Sequence, residues 1–431
     1  MLGTRVIDNQ INQLREKWVA RSVQNLLNAF VFFLAFPCID FLSNSVTFYI
    51  FLLIIAKVGA FWSKPYKGKA LFIVFMGSII LSTILAPYDE MIRYPGFMTS
   101  FQIITQYGYW ILIAAFFVVY RDRYSAVEVS KWLFFGVISS IIGFYLFVYK
   151  IEIGPLKITT LPTRNGFVFT LLCCIPIAFN YLSTRFTRNY MYLFFGFFIL
   201  VMLLSNGRSG AVIIIIQVML MSGILYPRWL KTIKIIIIPL VILFITLQSA
   251  FFQPLINIFA NNVESISPRF AGLLKSEGEG DLEMDKSWLI RKLMIDKSQE
   301  IFSKYPTLGI GANNFIYYDA DLYTLFRYQR LGGDTKDFYN SRSAHNSYIQ
   351  ILSEFGILGF VIFILILFRP IASLLRVFND EDFNINNLAL ISLFGISMHF
   401  YAISSITGAI PWMVIGMSIA LTKQSKNPLW N

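Results

Sequence analysis

The chain has 431 residues, of which 56% are hydrophobic and only 14% charged, and its formal net charge is +12. So low a charged fraction, against ~25% in water-soluble globules, excludes a soluble domain and a disordered chain and leaves a polytopic membrane protein. A surplus of +12 points to nucleic acid only if it gathers on one accessible surface, so its location has to be found first.

The first ~23 residues are polar and carry Arg5, Arg15, Lys17 and Arg21, with no apolar stretch and small-residue cleavage site of the kind a signal peptide needs. About twelve apolar runs of ~17–25 residues follow, long enough to cross a ~30 Å hydrocarbon core. They centre near Phe33, Ile54, Ser78, Leu112, Ile141, Cys174, Phe198, Gln217, Val241, Ile357, Ser397 and Val414. Chains in lipid must satisfy their backbone internally, and these runs are too continuous for barrel strands, so the expected fold class is an all-α membrane helix bundle. Cys38, Cys173 and Cys174 lie inside apolar runs and read as packing residues.

Alternate connections are rich in Lys and Arg. Together with the N-terminal segment they hold 19 cations and seven anions, a surplus of 12, which equals the net charge of the whole chain. By the positive-inside rule these segments, with both termini, are expected in the cytoplasm. The +12 is thus an orientation signal and a contact for anionic membrane lipids, with no role for nucleic acid.

The connection between the ninth and tenth runs, residues 251–344, is far longer than an ordinary loop. It divides the chain into an N-terminal membrane bundle (1–250, about nine spans), a large extracytoplasmic loop (251–344) and a C-terminal membrane segment (345–431, about three spans). Within the loop, SWLIRKLMIDKSQEIFSK (287–304) reads as an amphipathic helix with Trp288, Leu289, Met294, Ile295 and Ile301 on its apolar side. Asp285 or Ser287 would cap it, and Pro306 would end it. Gly309 and Gly311 mark a tight turn in TLGIGANNF, and the acidic stretch from Glu277 to Asp285 reads as a solvated segment.

Two histidines are present. His399 falls within the eleventh run, where packing and an intramembrane function are both open readings. His345 stands where apolar sequence resumes and a helix begins; the positive end of the helix dipole disfavours its charged form and keeps it available as a base or acceptor. The plain alternative is an interfacial residue. Arg208, in the short turn SNGRSG, and Arg164, in LPTRNGF, are cations where the positive-inside rule disfavours them; Arg291 lies in the loop helix and Arg342 three residues before His345. Guanidinium groups pair bidentately with phosphate oxygens, so arginines converging at the outer surface suit a diphosphate, while for each one alone headgroup contact or a carboxylate partner is the alternative. No phosphate-binding glycine loop, HExxH or Cys/His cluster occurs, and Asp319 with Asp321 is too small a set for a metal site.

The run AHNSYIQILSEFGILG (344–359) resembles the signature of the O-antigen ligase and polymerase superfamily of membrane glycosyltransferases, and SNGRSGAVI (205–213) and SWLIRKLMI followed by YPTLGIGANNF resemble further segments of it. The resemblance implies a GT-C-like enzyme of the bacterial inner membrane without cofactor or metal, with its large loop on the periplasmic side. It implies an undecaprenyl-diphosphate-linked glycan as donor, a glycan or lipid acceptor, and a flippase and chain-length regulator as partners. Carried over, His345, Arg208 and Arg291 would be catalytic, the arginines holding the diphosphate and His345 assisting the acceptor hydroxyl; Arg164, Arg342 and Asn346 would bind substrate. The expected activity is polymerisation of lipid-linked repeat units. Ligation of the finished glycan to lipid A core or protein shares the same donor site, and transport would need more intramembrane charge than Asp40, Lys57 and Glu354 provide.

Overall fold

The computed structural model describes residues 20–36, 40–59, 63–66, 68–91, 97–121, 124–147, 164–205, 208–225, 286–320, 343–376, 384–402, 406 and 408–422. The expected ninth run near Val241, the acidic stretch before Lys286, Cys38, Asp321 and Arg342 lie outside them.

The described chain is helical: α1 (20–35), α2 (Asp40–Val58), α3 (Lys69–Ile84), α4 (Phe97–Val119), α5 (Ala126–Phe147), α6 (Arg164–Arg185), α7 (Arg188–Leu204), α8 (Arg208–Leu225), α9 (Lys286–Lys304), α10 (Ser347–Leu375), α11 (Ile385–Ala402) and α12 (Ala409–Leu421). An isolated antiparallel bridge pairs Met91 with Tyr318. Eleven of the expected runs fall on helices, and α9 is the expected loop helix, one residue longer at its start. Four helical stretches, Phe101–Val119, Ala126–Tyr145, Gly166–Arg185 and Ser347–Leu375, are long and apolar enough to cross a membrane, and shorter apolar helices accompany them. The chain is a polytopic all-α membrane protein.

Two expectations shift. The first run is centred earlier than Phe33, because α1 ends at residue 35, just before Pro37, whose ring disfavours a helical residue ahead of it. Lys57, read as an intramembrane charge, is exposed in the last turn of α2, where a cation complements the helix dipole.

Lipid tails give helices no hydrophobic reason to associate, so close backbone approach and polar bonds between helices hold the bundle together. At the α4–α12 contact, a Cβ on Gly416 would lie 2.4 Å from the Ala114 carbonyl oxygen, so only glycine permits that distance. Arg121, just past α4, is 8% exposed, and its Nη1 donates to the Ala420 carbonyl at 2.9 Å, capping the end of α12. One of the charges read as an orientation signal therefore also locks two helices.

Gln217 of α8 does similar work in the centre. Its Nε2 donates to Leu172 O of α6 (3.0 Å) and Ile391 O of α11 (3.1 Å), and Ser392 Oγ donates to Cys173 O (3.0 Å). Cys173 and Cys174 are fully buried packing residues. Gln217→Leu is expected to destabilise the detergent-purified protein by about 1–2 kcal/mol, since interhelical bonds in membranes contribute about 0.6 kcal/mol each and up to ~1.7. Equilibrium unfolding in mixed micelles would measure it; an unchanged midpoint would remove Gln217 as a tie.

Candidate functional site

Helices α6, α8 and α10 begin at one end of the bundle, and direct contacts establish this. Val168 fills the space above Gly210, where a Cβ would lie 2.0 Å from its Cγ1, so the first turns of α6 and α8 touch. Phe169 stacks on His399 at 4.6 Å, and Tyr348 donates from its hydroxyl to Ser397 O at 3.0 Å. The late turns of α11 thus bridge the first turns of α6 and α10. His399 is fully buried in that stack.

This arrangement brings Arg164, Arg208 and His345 to the same end. Arg164 and Arg208 are the first residues of α6 and α8, where the dipole is positive and a cation is disfavoured unless an anion joins it. Arg291 stands in the second turn of α9. The side chains of these three arginines and the whole of Arg342 lie outside the described residues.

His345 is half-buried and has φ 52°, a left-handed conformation uncommon outside glycine and strained enough to mark a constrained position. The next residue, Asn346, is the N-cap of α10: its Oδ1 accepts from the N–H groups of Tyr348 (2.9 Å) and Ile349 (3.1 Å). Asn346, expected as a substrate contact, therefore has its carbonyl oxygen committed to fixing the helix start behind the histidine.

The loop helix is joined to α10 by an arrangement invisible in the sequence. Helix α10 breaks at Gly356, which has φ 61° and ψ −166°. Across the break, Ile310 N–H donates to Ser353 O (3.0 Å), Gly311 N–H to Glu354 O (2.8 Å), Ile357 N–H to Pro306 O (2.8 Å) and Leu358 N–H to Thr307 O (3.4 Å). The backbone groups released by the break are taken up by the TLGIG turn, as groups shielded from water must be. Gly309 and Gly311 have φ 69° and 88°, as a tight turn requires.

Three further ties hold the 305–320 segment. Ala312 N–H donates to Thr83 Oγ1 (3.1 Å) at the end of α3; Asp319 N–H donates to Glu90 O (3.1 Å), and the Tyr305 hydroxyl donates to Glu90 Oε1. From α9, Ser298 Oγ lies 2.6 Å from Ser353 Oγ of α10. A second apolar cluster, including Leu293, Met294, Ile301, Phe315, Tyr318 and Ala344, fills the space beneath α9 and reaches the residue before His345. Helix α9 buries Met294 and Ile301 as expected and Leu293 besides, but Ile295, expected on that face, is 40% exposed.

Lys297 takes a buried place instead. It is 4% exposed, with its ammonium 5.1 Å from the centroid of the Phe315 ring. Burial pulls its pKa down to about 7, and the negative charges of Asp319 and Glu300 oppose that shift. A base whose folded pKa is lowered binds fewer protons in the folded state than in the unfolded one between the two values, so stability rises with pH through that window. It is expected to increase from about pH 7 to about 9.5, below the range in which tyrosines titrate. Lys297→Met should flatten this rise in unfolding experiments across pH; the same slope in the variant would assign it to another group.

Among the described residues, no group of three or more His, Cys, Asp or Glu is placed to hold a metal ion. Residues 191–364 match the family described as O-antigen ligase. The matched span contains Arg208, Arg291, Arg342, His345 and Asn346 and begins after Arg164. No curated protein matches the chain.

Proposed function

We propose that this chain, which belongs to the O-antigen ligase/polymerase superfamily, transfers a glycan from undecaprenyl diphosphate to a hydroxyl acceptor, and that it acts as a polymerase of repeat units. The observation that carries the reading is the single end of the bundle that gathers the starts of α6, α8 and α10, with Arg164, Arg208 and His345 on them. Positive helix ends and arginines favour an anion there. As the anomeric bond breaks, charge grows on the leaving diphosphate, and fixed guanidinium groups of Arg208 and Arg291 stabilise it without protonation. His345 takes or orients the proton of the attacking hydroxyl, and direct displacement inverts the anomeric centre. Arg164, Arg342 and Asn346 hold the flanking substrate.

In this reading the arginine and histidine end, with residues 251–344 as one large loop, faces outward from a bacterial inner membrane. The lipid anchor enters between helices from the bilayer, and a flippase and a chain-length regulator would supply and limit the substrate. The family match, described as a ligase, supports the second reading, in which the same donor site passes a finished glycan to lipid A core or protein.

Purified protein in liposomes with lipid-diphosphate repeat units distinguishes them. A polymerase yields a ladder of elongated lipid-linked products without added acceptor, whereas a ligase consumes donor only when its acceptor is supplied. Donor unchanged under both conditions would defeat the transferase reading.

A further inference from the structure

Glu354 has no place in the proposed chemistry, yet among the described residues it is the most deeply buried charged side chain. It is 1% exposed, and Gln350 and Asn346, one and two turns earlier on the same face, are 8% and 9% exposed. A carboxyl in such surroundings costs several kcal/mol unless the protein answers it, and an apolar side chain would fill the same space. What answers it is Gln350 together with the turn packed against it. Gln350 Nε2 donates to Glu354 Oε1 at 3.2 Å. The N–H groups of Asn313 and Phe315 are turned toward the same carboxyl group, although Oε2 has no partner in direct hydrogen-bond geometry among the described residues.

The neighbouring amides of the turn are already committed, Ile310 and Gly311 to α10, Ala312 to Thr83 and Asn314 to Gly311 O. Asn313 has φ 58° and Gly311 φ 88°. Left-handed residues in a short turn rotate successive N–H groups into a concave anion-binding array. Here the group that the array faces is a side-chain carboxyl of the same protein, projecting from the helix that follows His345.

We propose that Glu354 is a positioning residue: captured by the 311–315 turn, it fixes the outer half of α10, and with it His345, in register with α9 and Arg291. The effect on turnover rests on the transferase reading, whereas the register itself does not. Distances set this way matter because a displacement of about 1 Å at a reacting group can cost ~10²-fold in rate.

The contact between Ser298 and Ser353 provides the test, since their oxygens are 2.6 Å apart and cysteines there can form a disulfide. In the full-length Ser298→Cys/Ser353→Cys protein, Glu354→Gln is expected to slow disulfide formation at least tenfold, because the amide keeps only one acceptor oxygen to serve both Gln350 and the turn's N–H groups. Without the disulfide, Glu354→Gln should lower kcat about 10- to 100-fold with donor KM little changed; once formed, the disulfide should restore kcat to that of the oxidised reference with Glu354 intact. Wild-type cross-linking and turnover in Glu354→Gln would overturn the proposal. So would a kcat loss that the disulfide fails to repair, because Glu354 would then act on substrate directly. Should Glu354→Gln not fold, Gln350→Met must show slowed cross-linking, and a wild-type rate there overturns the proposal. If the wild-type protein turns over no donor, the functional reading fails while the cross-linking rates still decide the register.

Discussion

His345→Asn is expected to lower kcat about 10²–10⁴-fold, the usual contribution of a positioned acid or base, while the protein folds and binds donor as before. Asparagine is the informative replacement because it tolerates the left-handed backbone that His345 adopts, at φ 52°. An alanine there would add a backbone cost and confuse strain with chemistry. The residue that follows caps α10 with its own side chain, so the helix start does not depend on the imidazole. Turnover of lipid-linked donor and donor affinity would be measured on the same preparation. Partial recovery with added imidazole would identify His345 as a proton acceptor, and its absence would leave an orienting role. Turnover equal to wild type would remove His345 from the reaction without touching the match to the O-antigen ligase family over residues 191–364.

The helices were legible because a membrane demands them. Uninterrupted apolar sequence in lipid has one way to satisfy its backbone, so locating the runs locates the helices. The turn at Gly309 and Gly311 was legible for a similar reason, since two glycines after a proline-stopped helix leave few alternatives. His345 was found because it stands where polar sequence gives way to apolar.

What escaped was decided by contacts between segments far apart in the chain. Lys297 recurs with Leu293 and Ile301 every four residues, a spacing that signals one helix face, but its charge argued for solvent; the Phe315 ring and the nearby acids help to make burial tolerable. Glu354 stood out as an intramembrane charge, yet nothing local announces that a turn some forty residues earlier packs against it. Arg121 counted as one more cation by the membrane until the structure placed it on the end of α12, about 300 residues away in sequence.

The same reasoning singles out Gly356 for the second large effect. Within EFGILG it is an ordinary glycine of a long apolar helix, where replacement by alanine would stabilise by roughly 0.5–1 kcal/mol. In the structure a Cβ at Gly356 would lie 2.3 Å from both the carbonyl carbon and oxygen of Thr307, and one at Gly309 would lie 2.4 Å from Ser353 O. The obstacles are backbone atoms and cannot swing aside. Gly356 also occupies a region of backbone space, at φ 61° and ψ −166°, that essentially only glycine enters, at a cost of about 1–3 kcal/mol for other residues. Gly356→Ala and Gly309→Ala are therefore each expected to part the turn from α10, break the four backbone hydrogen bonds that cross the break, and abolish turnover. Gly77→Ala and Gly196→Ala, where a Cβ meets nothing within 4 Å, are the matched controls and should keep wild-type activity. Limited proteolysis separates the outcomes, because a released 305–320 segment is cut while the bundle stays intact. If Gly356→Ala resisted protease as wild type does and turned over donor normally, α10 would have to run straight through residue 356, and the junction between loop and helix would not exist as described.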